Sequence, residues 1–260
     1  MNQDDEYQQD QRAFIEDAME ESDELGGSLT NEVRETYTGT IMKRFEDRPK
    51  TAYFQALGKL LGGKVEYETR DDRIENERAY REIAEKAGLY TPDILGQHEE
   101  YVEFERVDGD TLPDYLNDAD SDEAYEIGER LGESLRVVHD EDYAVTDLRI
   151  NNIIVTDEDQ LASVDHEYAT DEATGWDKQL DILTLISSAR QVDDTAYESF
   201  REGFEHGYDE SVDTSVDIMT SATAPLHASL LERDTDRTGN ALRNTVQDLG
   251  DRLHEYLPDR

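Results

Sequence analysis

Between positions 23 and 45 apolar residues come in short runs broken by glycine and polar residues, the pattern of strands joined by turns. Leu25-Gly26-Gly27-Ser28-Leu29-Thr30-Asn31 predicts a strand entering a glycine turn. Val33 to Tyr37 predicts a second strand, Gly39 a turn, and Ile41-Met42-Lys43-Arg44-Phe45 a third strand, together a meander. The spacing then turns helical. Phe54, Leu57 and Leu61 share one face of a helix over 51–61 that Gly62-Gly63 closes. Ile74, Tyr80, Ile83 and Ala87 share the inward face of a second helix, from about Arg73 to Lys86, which Gly88 stops. Ile94-Leu95 and Tyr101 to Glu105 predict a strand pair, and Gly109 to Leu112 a turn feeding a helix.

From Ser121 onward the period of three to four dominates. Ile127, Leu131, Leu135 and Val138 predict a helix ending near His139, and Gly128 and Gly132 allow a neighbour to approach it closely. Two apolar strands, Asn152 to Val155 and Leu161 to Val164, flank an acidic turn, after which 177–190, 194–207, 215–231 and 239–256 carry helical spacing. The first 22 residues form an acidic extension in which Phe14, Ile15 and Met19 give a short amphipathic stripe. The class this predicts is α+β, sheet-rich over 23–104 and mainly helical over 105–260, with no internal repeat.

Charge narrows the partners. With 66 acidic against 25 basic residues the formal net charge is −41, which argues against nucleic acid and anionic membrane surfaces, whose phosphates need facing Lys and Arg. The apolar residues cluster into elements, so the acid predicts a solvated surface rather than a disordered chain. Six lysines against nineteen arginines add to the expectation of a cytoplasmic protein from an extreme halophile, where molar salt screens the repulsion. No cysteine is present, which excludes disulfides, thiolate metal sites and a cysteine nucleophile. No apolar run approaches the ~20 residues of a membrane span, and the N-terminus lacks a basic-then-apolar signal pattern.

The segment richest in candidate chemistry is Tyr143-Ala-Val-Thr-Asp147-Leu-Arg149-Ile-Asn-Asn152, followed by Leu161-Ala-Ser-Val-Asp165-His166-Glu167. An Asp, an Asn five residues on at the mouth of an apolar hairpin, and an Asp at its far end would bring one base and two oxygen ligands to one edge. ATP-dependent phosphoryl transfer is built that way, since Mg²⁺ favours hard oxygen ligands and an Asp can deprotonate an acceptor hydroxyl. The alternative is that these acids simply occupy turns in an acid-rich chain.

The chain resembles the protein-kinase-like phosphotransferases, specifically the short atypical kind that includes the KEOPS-complex kinase, RIO kinases, and aminoglycoside and choline kinases. Gly26-Gly27-Ser28-Leu29-Thr30-Asn31 resembles the phosphate-covering turn of the choline kinase branch. Lys43 falls at the third-strand lysine, Glu77 at the helix glutamate that pairs with it, and Glu103 to Gly109 at the hinge between lobes. Val145-Thr146-Asp147 stands in for His-Arg-Asp or His-Gly-Asp, Asn152 sits at the family spacing, and Asp165-His166-Glu167 replaces Asp-Phe-Gly. Asp177-Lys-Gln-Leu-Asp181-Ile-Leu is similar to the KEOPS kinase segment, in which the second Asp braces the catalytic loop. The likeness spans about residues 24–208.

What the resemblance implies is a bilobal fold with a hinge at Glu105 to Gly109 and ATP between the lobes. It implies that Lys43 contacts the α/β-phosphates and is held by Glu77, that Asn152 and Asp165 bind Mg²⁺, and that Asp147 acts as base. Adenine would meet backbone groups at Glu105 and Val107, and Gly26, Gly27 and Ser28 would cover the phosphates. Arg149 is either a phosphate contact or a salt-bridge partner, and Lys64, after Gly62-Gly63, is a rival to Lys43. For His166 packing is the expectation, and none of the six His shows zinc spacing. The acceptor is expected to be a small hydroxylated molecule or the chain itself, or ATP hydrolysis is coupled to a partner protein. The alternative is a catalytically weak pseudokinase that acts as a nucleotide-binding scaffold.

Overall fold

The computed structural model describes residues 23–27, 31–45, 69–98, 101–209 and 211–212. The helices expected over 51–61, 215–231 and 239–256, the acidic N-terminal stretch, Ser28 and Lys64 lie outside these residues. Among the described residues the chain is mixed α and β, with two small antiparallel sheets and five α-helices. No described helix is long and apolar enough to cross a membrane. The chain divides into two compact units. The first holds the described residues up to Gly109 together with Ile154–Tyr168, and the second holds Asp110–Ile153 and the described residues from Ala169.

In the first unit β1 (Asp23–Gly27), β2 (Asn31–Glu35), β3 (Ile41–Phe45), β4 (Ile94–Gln97) and β5 (Tyr101–Phe104) form one sheet in the order β1-β2-β3-β5-β4, every neighbour antiparallel. Gly26 and Gly27 pair with Val33 and Glu32, so the two glycines belong to the strand itself, beside a bulge at Glu24/Gly26, rather than to the connection after it. The second strand ends two residues earlier than its apolar pattern predicts. The chain turns there: the Thr36 N–H donates to the Thr40 carbonyl at 2.9 Å and the Gly39 N–H to the Thr36 carbonyl at 3.0 Å, while the Thr36 hydroxyl accepts from the Thr40 N–H at 3.1 Å and bonds the hydroxyls of Thr38 and Thr40.

Register explains what β3 buries. Ile41 lies opposite Phe104 and Lys43 opposite Val102, and the two-residue period puts Phe45 on the same face. That face carries a core of Phe45, Val102 and Phe104 with Ile74, onto which Ile41 and Ile94 pack. Lys43 is therefore carried inward by the alternation that buries its neighbours.

The helix α1 (Arg70–Lys86) begins three residues before its predicted start because Thr69 and Asp72 form a capping box: the Thr69 N–H donates to Asp72 at 2.8 Å and the Asp72 N–H to Thr69 Oγ1 at 3.3 Å. It ends where Gly88 adopts φ 75° and the Leu89 N–H reaches back to the Ala84 carbonyl at 2.9 Å. Beyond it, Tyr90 is bridged to the hairpin strand β8 (Leu161–Ser163) by Tyr90 N–H to Leu161 O at 2.9 Å and Ser163 N–H to Tyr90 O at 2.8 Å. β6 (Gly109–Thr111), β7 (Ile153–Thr156) and β8 make the second sheet in that order.

The second unit contains α2 (Leu112–Asp118), α3 (Ser121–Asp140), a 3-10 turn at Ile150–Asn152, α4 (Gly175–Ala189) and α5 (Asp194–Tyr208). Capping boxes at Asp120/Glu123 and Thr174/Asp177 start α3 and α4. α3 and α5 meet backbone to backbone. A Cβ on Gly128 would lie 2.1 Å from the Phe200 carbonyl oxygen, and one on Gly203 2.0 Å from that of Tyr125, so both helices need glycine at the crossing.

Candidate functional site

In the first unit a buried charge cluster forms where β3, α1 and the segment after β8 meet. Lys43, on the core face of β3, has its ammonium 2.9 Å from Glu77 Oε1 and 2.9 Å from Glu167 Oε2, and it is also paired with Asp165 Oδ1. The Lys43 and Glu77 side chains are 7% and 6% exposed and Glu167 is 2% exposed, whereas Asp165 keeps 28%. Asp165 is therefore the member of the cluster that reaches solvent. It adopts φ 68°, a left-handed conformation that costs free energy for a residue with a side chain and that turns the chain just where it enters the cluster.

One stripe of α1 organises the segment that follows Asp165. Arg73, Asn76, Glu77 and Tyr80 recur at the helical spacing of three and four, so they project from one face. Arg73 Nη2 donates to Glu167 Oε1 at 2.6 Å and Asn76 Nδ2 to the Glu167 carbonyl at 3.0 Å. The His166 N–H donates to Glu77 Oε2 at 3.1 Å, and the His166 ring stacks on Tyr80 with centroids 4.2 Å apart. His166 Nδ1 lies 3.3 Å from Glu77 Oε2 and Nε2 2.8 Å from Ser163 Oγ. With a proton on Nδ1 the ring donates to Glu77, and Nε2 shares a hydrogen bond with the Ser163 hydroxyl.

The electrostatics follow from burial against charge. Burial alone would lower the Lys43 pKa, yet Asp165, Glu167 and Glu77 outweigh it and hold the ammonium well above its ordinary value. Burial would raise Glu77, but the Lys43 charge and the His166 bond hold its carboxyl below the usual range. Arg73 behaves like Lys43: burial disfavours its charge and Glu167 more than restores it. The carboxylate oxygens of Glu77, Asp165 and Glu167 lie within 4.8 Å of one another. They are hard oxygen donors that could hold a metal ion, with Asp165 the solvent-reaching member.

The second unit holds a different network. Asp181, fully buried on α4, accepts the Val145 N–H at 2.8 Å and the Thr146 N–H at 2.6 Å. Its Oδ2 also lies 3.2 Å from His139 Nε2, and His139 Nδ1 lies 2.7 Å from the Tyr208 hydroxyl. Thr146 sits at φ 64°, a rare conformation for a β-branched residue, immediately before Asp147. Arg149 closes on Asp147 Oδ1 through Nε at 2.8 Å and Nη2 at 2.7 Å, which makes it an ion-pair partner of that carboxylate, one of the two roles open to it from sequence. Asn152 Nδ2 lies 3.4 Å from the Asp147 carbonyl oxygen.

The structure thus brings Lys43, Glu77 and Asp165 together in one unit and Asp147, Arg149 and Asn152 together in the other. Gly26 and Gly27 lie in β1. The Glu105 N–H is donated to the Asp93 carbonyl at 2.8 Å, and its carboxylate accepts from the Tyr90 hydroxyl and the Asp93 N–H; Val107 is half-buried between the exposed Arg106 and Asp108. Sequence reasoning missed Arg73, because a helix begun there has no inward face yet, and it left Glu167 without a role although Asp165 and Glu167 alternate. No family model matches the chain, and no curated protein is similar to it.

Proposed function

We propose that this chain is an ATP-dependent phosphotransferase of the atypical, kinase-like type. The observation that carries the proposal is the buried Lys43 of β3, paired with Asp165 from beyond β8 and, at 2.9 Å, with Glu77 from α1, residues 122 and 34 positions away in sequence. A lysine kept charged by a surplus of carboxylates is suited to meeting phosphate oxygens, because a ligand anion can take over part of the charge that the carboxylates satisfy without it.

In this proposal Lys43 binds the α/β-phosphates and Glu77 orients it. Asp165 and Asn152 supply hard oxygens for Mg²⁺, which when bound neutralises phosphate charge. Asp147 accepts the proton of the acceptor hydroxyl, and Arg149, paired with it, lies ready to exchange that carboxylate for a phosphate oxygen. Adenine is assigned to backbone groups at Glu105 and Val107. The acceptor is a small hydroxylated molecule or the chain itself, or hydrolysis is coupled to a partner. The acidic surface is assigned to a cytoplasmic, halophilic setting.

A second reading, a catalytically weak nucleotide-binding scaffold, is favoured by one observation: Gly26 and Gly27 are used up in strand pairing with Val33 and Glu32. ATP turnover in molar KCl separates the two. Lys43→Met and Asp147→Asn are each expected to lower turnover by roughly 100-fold or more, the Asp147 variant while still binding nucleotide. Turnover within threefold of the unaltered protein in the Asp147 variant would sink the enzyme assignment.

A further inference from the structure

Lys43 has a second buried acid that the pairing with Glu77 does not require. Glu167 is as deeply buried as any charged group among the described residues of the first unit, and its two oxygens are divided: Oε2 lies 2.9 Å from the Lys43 ammonium and Oε1 2.6 Å from Arg73. Arg73, 3% exposed, has its guanidinium 4.8 Å from the Phe45 ring centre and 5.4 Å from that of Tyr168, so it is fixed by aromatic faces as well as by the carboxylate. Phe45 also faces the Lys43 ammonium at 4.6 Å. A buried ion pair is seldom worth its desolvation for stability alone, since an apolar pair of the same volume often serves as well. Here the pair does something an apolar pair would not, because the carboxylate that Arg73 holds also reaches the lysine.

We infer that Arg73 and Glu167 are positioning residues that form a second anchor for Lys43: Arg73 fixes the Glu167 carboxylate, and Glu167 holds the Lys43 ammonium against the segment that carries Asp165. The role rests on the phosphotransferase proposal for its catalytic consequence, but not for its geometry. Glu77 and Glu167 grip the lysine from α1 and from the segment after β8 respectively, and the α1 stripe of Arg73, Asn76, Glu77 and Tyr80 ties that segment back to the helix. Lys43, Glu77 and Asp165 are then set relative to one another by a closed ring of contacts rather than by a single ion pair.

The test reads Lys43 directly. In molar KCl, without nucleotide, the six lysines are labelled with an amine-reactive acylating reagent and quantified peptide by peptide. In Glu167→Gln and in Arg73→Met, Lys43 is expected to label at least fivefold faster than in the unaltered protein while Lys86, exposed on the same helix, does not change. The double variant should match Glu167→Gln, because Arg73 acts through Glu167. Glu167→Asp, which keeps the charge, should restore most of the protection. If Glu167→Gln does not melt cooperatively, Arg73→Lys, which keeps a cation but loses the fork and the stacking, carries the comparison and is expected to show a smaller rise of the same sign. Lys43 labelling within twofold of the unaltered protein in a folded variant overturns the inference. So does a more than tenfold rise in the Mg²⁺ needed for half-maximal turnover with Lys43 still protected, which would make Glu167 a metal ligand. Where turnover exists, Glu167→Gln should lower kcat about tenfold and change KM for ATP less than threefold. An absence of turnover in the unaltered protein would defeat the proposed function while the labelling still decides this inference.

Discussion

Glu167 and Asp181 are both sequestered from water, and they are satisfied in opposite ways. Glu167 takes two cations, Lys43 at 2.9 Å and Arg73 at 2.6 Å. The described partners of Asp181 are two backbone N–H groups, at 2.8 and 2.6 Å, and the ring of His139. Side-chain ion pairs can exchange partners when a competing charge arrives. Backbone donors cannot leave without moving the chain. The first unit thus has a cluster suited to sharing its lysine with an incoming anion, and the second has a brace that fixes the path of one loop, including Thr146 in a conformation costing on the order of 1–3 kcal/mol. The lesson is that buried charge at a candidate site serves two separate purposes, adaptable binding and rigid placement, and the partner type tells them apart.

The harshest way to break the comparison is to remove what both networks depend on. A formal net charge of −41 opposes any compact state unless salt screens it. The Debye length grows from about 3 Å at 1 M to about 10 Å at 0.1 M, so neighbouring surface carboxylates that ignore one another in molar KCl repel at 0.1 M. Dialysis to 0.1 M KCl is expected to abolish the folded circular dichroism spectrum. A spectrum unchanged at that salt would show that the acidic surface needs no screening and would remove the halophilic assignment.

A smaller change tests the brace by itself. Asp181→Ala leaves the Val145 and Thr146 N–H groups and His139 without their described acceptor, and each buried group so abandoned costs about 1–3 kcal/mol. A loss of roughly 3 kcal/mol in urea unfolding at fixed molar KCl is expected. Asp181→Asn retains one acceptor oxygen and should lose about half as much. An Asp181→Asn variant as stable as the unaltered protein, with the full loss confined to Asp181→Ala, would mean that the volume of the side chain matters there, and not its bonds to the backbone.

Much of this was legible in the residues and some was not, for identifiable reasons. The alternation Ile41, Lys43, Phe45 marked β3 and carried Lys43 inward, and Ile74, Tyr80, Ile83 and Ala87 are all buried as their spacing predicted. Gly128 and Gly132 announced a close helix neighbour, but not that Gly203 and Gly207 of α5 would answer them, because periodicity describes one element at a time. Arg73 escaped because the capping box of Thr69 and Asp72 moved the helix start, and three residues of helix decide whether position 73 is an end or an inward face. His139 read only as the end of a helix; its contacts with Asp181 and Tyr208 span 42 and 69 positions, a range at which no local pattern speaks. Of the residues that the resemblance singles out, Lys43, Glu77 and Asp165 lie together in the first unit and Asp147, Arg149 and Asn152 in the second, while their roles rest on the assays proposed above.

The finest test of the first network is its response to acid, and it isolates Glu77. Burial would raise the Glu77 pKa, yet the Lys43 ammonium beside it wins, so the folded value lies below the unfolded one. A carboxyl whose pKa is depressed on folding contributes stability that is fully present above its unfolded value, about 4.3, and is lost as pH falls through that value toward the folded one. Lys43, raised on folding, has the opposite sign: its contribution is present below about 10.4 and disappears only at higher pH, so it does not vary across the acid range. Acid also discharges the many exposed carboxylates, which relieves repulsion and changes the melting temperature of every variant alike. The informative quantity is therefore a difference between two proteins. Between pH 5 and pH 3 in molar KCl, the unaltered chain is expected to lose more melting temperature than Glu77→Gln, which starts lower and has no proton to take up at that position. Parallel pH profiles for the two would show that Lys43 does not hold Glu77 ionised, and the cluster around Lys43 would then be no more than a set of neighbouring side chains.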